Sequence, residues 1–130
     1  MVTIREWYKR ANALWPNDVP ALTVPESLRA TRRLWRYATG STWLGKVEPV
    51  TRSNQYTWLR RGTIYVNHNK IEWVPGCGRL GGWRTFVHDL GHLLHHYTGN
   101  RKFGKAHSKQ HARLEARLIK QVISRGWLKA

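Results

Sequence analysis

His88 and His92, four residues apart in the run His88-Asp89-Leu90-Gly91-His92, constrain the folding of this chain more than any other feature. Two imidazoles at that spacing share one face, and can grip one metal ion, only if the segment is helical. The apolar residues agree. Phe86, Leu90, Leu93, Leu94 and Tyr97 recur at helical intervals, which predicts a helix from about Trp83 to Tyr97 with this stripe buried and His88, His92, His95 and His96 on the adjoining face. Thr98-Gly99-Asn100 then supplies residues suited to a left-handed exit from the helix.

Other helices can be read the same way. Ile4, Trp7, Tyr8, Ala11, Leu14 and Trp15 form one side of an N-terminal helix stopped by Pro16, with Thr3 and Glu6 at capping-box spacing. Thr23 and Glu26 repeat that spacing before Leu28, Thr31, Leu34, Trp35 and Ala38, a helix that Gly40 ends. Beyond Gly40 the chain turns to short aromatic and β-branched runs. Residues 55–59 and 63–67 predict two strands joined tightly through Arg60-Arg61-Gly62, and Trp43-Leu44 and Ile71 to Val74 are marginal additions. A last helix is expected from about His107 to Arg125, with Leu114, Leu118 and Val122 buried. The expectation is a single α+β domain: a helical part over 1–40, a small, mainly antiparallel sheet over 41–75, the histidine helix over 83–97 and a closing helix over 107–125. The glycines from Gly76 to Gly81 match the spacing of a dinucleotide-binding turn. That reading fails, because no acidic residue follows some 20 positions later and no parallel βαβ unit is in evidence. A hinge beside a cleft is the reading that remains.

Charge points to the partner. With 23 Lys and Arg against 7 Asp and Glu, a formal +16, a compact fold repels itself unless an anion offsets the charge. Nucleic acid is the expected partner. Arg29, Arg32, Arg33 and Arg36 on the second helix, with Arg60 and Arg61 in the hairpin, are the candidate phosphate contacts. Eight tryptophans interleave with these cations, suited either to stacking on unpaired bases or to filling a core. No stretch has the roughly 20 apolar residues of a spanning helix, and no apolar leader opens the chain, so an intracellular protein without membrane attachment is expected. Cys77 is the only cysteine, which excludes an internal disulfide and suits a reducing compartment.

Six of the seven histidines fall between 88 and 111. Zinc is the expected cofactor, since a catalytic zinc commonly takes three protein ligands and leaves a fourth position to water. The run Thr85-Phe86-Val87-His88-Asp89-Leu90-Gly91-His92-Leu93-Leu94 resembles the active-site helix of gluzincin zinc peptidases, written His-Glu-x-x-His. Over about residues 63–120 two branches are similar. The SprT-like (spartan-type) proteases, which act on proteins crosslinked to DNA, imply His107 as third ligand, with His111 and Leu114 following it. The ImmA/IrrE-like peptidases imply Glu115 instead, and His111 is a further alternative. The resemblance implies a protein or peptide substrate and makes Asp89 the catalytic base. Asp stands here where the family has Glu, one methylene shorter, which separates an active peptidase from a basic nucleic-acid-binding or assembly protein that keeps zinc only as structure. A metzincin is excluded because Thr98 occupies its third-histidine position. A metal nuclease built around His68 has too few carboxylates.

Overall fold

Thr23 begins the second helix with a complete capping box: its hydroxyl accepts from the Glu26 backbone N–H, and the Glu26 carboxylate accepts from the Thr23 backbone N–H. Gly40 ends the helix at φ 76°, the left-handed conformation that glycine adopts without strain. The computed structural model describes residues 2–50, 57–67, 71–97 and 107–128. Within them the order is α1 (Ile4–Asn12), α2 (Val24–Thr39), β1 (Lys46–Val50), β2 (Trp58–Arg60), β3 (Thr63–Asn67), β4 (Glu72–Val74), β5 (Gly78–Leu80), α3 (Trp83–Tyr97) and α4 (Lys109–Ser124). This is a small α+β fold. Among the described residues no helix is long and apolar enough to cross a membrane.

The strands depart from expectation. Instead of one mainly antiparallel sheet there are two: a three-stranded mixed sheet in the order β1-β3-β2, and a separate β4-β5 hairpin. The expected hairpin forms, with Arg60 opposite Thr63 and both turn residues at positive φ, 49° at Arg61 and 78° at Gly62. That two-residue turn matches the twist of its strands. β1 pairs with β3 in parallel, Lys46 opposite Thr63 through Val50 opposite Asn67. It escaped the sequence reading because Pro49 argues against a strand, yet on a sheet edge a missing N–H is tolerated. Trp43-Leu44 lies just before it, outside any strand. The expected hinge at Gly76 to Gly81 is instead the turn and second strand of the β4-β5 hairpin. Gly76 is required there: at φ 75°, a side chain would also run into the Arg5 backbone carbonyl. Residues 51–56, His68 and Thr98-Gly99-Asn100, which carried parts of the strand, nuclease and helix-exit readings, lie outside the described residues.

α3 is the central element, packed against α2, α4 and β2. Phe86, Val87, Leu90 and Leu94 are fully buried, together with Ala30, Leu34 and Trp35 of α2, Ile64 and Val66 of β3, and Leu118, Ile119 and Val122 of α4. Each such aliphatic side chain contributes about 1.5–3 kcal/mol over leaving it exposed. Trp15, Trp35 and Trp83 are core residues, whereas Trp73 is exposed. α1 packs on α4, so Tyr8 at the middle of α1 is wholly buried against the start of the last helix. Ser108 caps α4, its hydroxyl accepting from the His111 backbone N–H, which leaves His107 just outside the helix it was expected to open.

Candidate metal centre

Helical spacing puts His88 and His92 on one side of α3, and the packing of α4 against that side brings two more imidazoles to it. His88 Nε2 lies 3.1 Å from His92 Nε2 and 3.2 Å from His107 Nε2. One ring nitrogen from each of His88, His92 and His111 also falls within 4.8 Å of the other two, close enough for three histidines to hold a metal ion. Burial favours the neutral form of His92, His107 and His111. Desolvation first, and then the neighbouring imidazoles, push His92 down to about 2 and hold His111 well below the ordinary histidine range. His107 is lowered too, by desolvation and then by His88. Neutral imidazole carries the lone pair that a metal needs.

The outer face of His88 is anchored. Its Nδ1–H donates to Glu115 Oε1 at 2.5 Å, and Glu115, fully buried on α4, accepts at Oε2 from Asn12 Nδ2 at 2.7 Å. Asn12 in turn donates to the Tyr8 carbonyl and accepts from Trp15 Nε1. A carboxylate holding the far nitrogen of an imidazole sets its tautomer and leaves Nε2 as a bare lone pair. Both Glu115 oxygens are thus engaged away from the His88 Nε2 face. His111 is committed on both sides as well. Its Nε2–H donates to the His88 carbonyl at 3.0 Å, so in the neutral ring Nδ1 accepts from the Tyr8 hydroxyl 2.5 Å away, which itself accepts from the Ser108 N–H. Its ring lies flat on that of His92, 3.7 Å between centres and 3° between planes.

Asp89 points elsewhere than its histidine neighbours. Its side chain is 3 % exposed, and Oδ2 has no hydrogen-bond partner among the described residues. Burial, and then the neighbouring Glu72 carboxyl of β4, push it up to about 10, against the opposing pull of the Thr57 backbone N–H. Both causes favour the protonated form of Asp89. Glu72 also bears electrostatically on His107. Glu72 and the α1 residues Tyr8 and Asn12 were missed as site residues: Tyr8 reads as part of the apolar stripe of its helix, and Glu72 and Asn12 as solvent-facing polar positions. His95 is half-buried beside His111 and His96 is exposed.

The arginines divide. Arg29, Arg32, Arg33, Arg36, Arg60 and Arg61 are all exposed. Arg32, however, donates to the backbone carbonyls of Trp43 at 3.1 Å and Gly45 at 3.2 Å, so it ties α2 to the segment entering β1. Comparison of the chain with protein-family models, with curated proteins and with solved structures gave no match.

Proposed function

We propose that the chain is a zinc-dependent, SprT-like metallopeptidase acting near nucleic acid, with His88, His92 and His107 as the metal ligands through Nε2. One observation carries this reading: the His88 Nε2, left with a single lone pair by Glu115, has two other imidazole nitrogens at 3.1 and 3.2 Å. One lone pair accepts one good hydrogen bond. Two ligand nitrogens of a tetrahedral zinc, each about 2.0–2.1 Å from the ion, stand about 3.3 Å apart, so a shared cation accounts for both separations. The set whose nitrogens all lie close together is His88, His92 and His111, without His107, but lone pairs lie in the ring plane. Two parallel stacked rings cannot both aim at one ion, and both His111 nitrogens already have partners. Glu115 belongs to the support of His88 and not to the ion.

Zinc bound there would supply Lewis acidity to a peptide carbonyl and to water. The rest falls to the chain. The Asp89 carboxyl, with Glu72 beside it, would take a proton from the attacking water and return it to the leaving amine. Glu72 is the longer side chain and makes up the missing methylene. An extended substrate would pair with β4, which has one edge on β5 and, among the described residues, none on the other. β3 has β1 and β2 on its two edges and is closed to a peptide.

A second reading has its own support. Burial favours the protonated form of Asp89, which suits a basic nucleic-acid-binding or assembly protein whose zinc is structural. Incubating the zinc-loaded protein with an unfolded protein substrate separates the two. The peptidase reading expects fragments that disappear with chelator and in Asp89→Asn, with zinc still bound to the variant. Absence of fragments at every pH, with Asp89→Asn leaving nucleic-acid affinity unchanged, would favour the structural reading.

A further inference from the structure

Two clefts flank the seam between α2 and α4. One, of about 600 Å³, is lined by Arg33, Arg36, Tyr37 and Arg125. The other, of about 300 Å³, lies between α3 and α4 and takes its walls from Leu94, His95, Arg113, Leu114 and Arg117. Arg117 joins them, its guanidinium 5.5 Å from the centre of the Tyr37 ring. We propose that these two arginine-walled clefts, linked by the Arg117–Tyr37 contact, form one groove that binds the phosphodiester backbone of a single-stranded nucleic acid. The proposal rests on the reading that the chain acts near nucleic acid, and is independent of the metal.

An arginine-rich helix face is ordinarily a solvated surface, and three observations set this one apart. The cations converge from two elements into a concavity, where their mutual repulsion is unfavourable unless an anion enters. No carboxylate lines either cleft, and none of their arginines forms an ion pair with a described residue. Arg33, Arg36 and Arg113 have no hydrogen-bond or ion-pair partner among the described residues. Meanwhile aromatic rings hold neighbouring guanidiniums in place: Arg29 and Arg125 both lie over Trp127, at 5.8 and 5.5 Å. Arg125 gives its Nε–H to Gln121, and a stacked guanidinium keeps its remaining N–H edges free for phosphate oxygens.

The shape selects a single strand. Duplex DNA is entered by a protruding helix or ribbon, whereas a groove between helices admits one backbone. Tyr97, one turn beyond Leu94 and 58 % exposed, leans on Trp35 with a face available to an unpaired base. Because the groove passes His95, which lies beside His111, a bound strand would run past the metal centre.

The test is fluorescence anisotropy with a labelled 20-nucleotide single strand of mixed sequence and a duplex of equal length, over a range of salt. Arg33→Gln/Arg36→Gln and Arg113→Gln/Arg117→Gln are compared with Arg60→Gln/Arg61→Gln, which removes the same charge from the hairpin. Each groove pair is expected to weaken single-strand binding about tenfold or more and to lower the salt slope by roughly 0.7 for each phosphate no longer neutralised. The hairpin pair should weaken it clearly less. Equal effects in all three would overturn the groove in favour of diffuse charge, and tighter binding of the duplex would overturn the single-strand assignment. No binding by the wild type would remove the nucleic-acid reading as well, while the zinc content of the same sample reports on the metal centre separately. Circular dichroism monitors folding; should the α4 pair unfold, the α2 pair decides.

Discussion

The two sides of α4 obey opposite rules. On its inner side His111 and Glu115 are fully buried, and every polar side-chain atom of theirs meets a partner from α1 or α3. On its outer side Arg113 has no hydrogen-bond or ion-pair partner among the described residues, and Arg117 meets only a tyrosine ring. Buried polar groups must be satisfied within the chain, so the inner network fixes positions to tenths of an ångström. Exposed cations are satisfied by water until an anion arrives, so the outer side is defined by charge and shape alone. One helix thus supports a rigid centre and presents an adaptable surface.

Cutting the inner network should have the largest effect. Glu115→Ala strands the His88 Nδ1–H and an Asn12 donor in the core, and should destabilise the protein by about 3 kcal/mol in urea unfolding. Zinc affinity should fall by about 10–100-fold with it. A loss under about 1 kcal/mol would mean that the network is ornamental to stability.

Next comes the pH dependence of the metal-free protein. Asp89 is raised in the fold to about 10, so its contribution to stability is complete at acid pH and is lost as pH rises from the unfolded carboxylate range through about 10. His92 and His111 are depressed, so their contribution is present above the ordinary histidine range and is lost as the pH falls below it. Urea midpoints in chelator should therefore decline on both sides of a maximum. Asp89→Asn should flatten the alkaline limb only; an unchanged alkaline limb would show that Asp89 is not held as an acid.

Gly91 sharpens the contrast within α3. Alanine there gains about 1 kcal/mol of helix propensity, but its Cβ would sit 3.0 Å from His111 Nε2. Because hydrogen bonds on both nitrogens hold that ring, a net loss of about 1 kcal/mol is expected. A higher melting temperature for Gly91→Ala would show the ring free to yield.

The smallest effect separates two neighbouring arginines. Arg32→Ala should lower stability by about 1 kcal/mol through its two carbonyl bonds and hardly change nucleic-acid affinity, and Arg33→Ala the reverse. Identical behaviour of the two would dissolve the distinction between structural and groove arginines.

What was legible in the sequence is what is local. The bounds of α3, the capping box and glycine stop of α2, and the Arg61-Gly62 turn follow from periodicity and backbone preference within a few residues. The pairing of His88 with His92 was legible for the same reason. The partners that complete the centre were not. Tyr8 and Asn12 reach His111 and Glu115 across 103 residues of chain, and Glu72 meets Asp89 from a three-residue strand. No local pattern encodes such long-range meetings. β1 stayed hidden because parallel pairing with β3 is likewise non-local and its proline points the other way. The spacing of His107, His111 and Glu115 allowed three ligand choices, and only the direction of their nitrogens and oxygens distinguishes them.

Zinc affinity, measured by competition with a chromophoric chelator for the wild type, His107→Ala and His111→Gln, all confirmed folded, tests the central claim most directly. The expected result is one zinc per chain in the wild type, at least about 100-fold weaker binding in His107→Ala, beyond the loss expected for a supporting group, and a smaller loss in His111→Gln. Full affinity in His107→Ala together with loss in His111→Gln would contradict it.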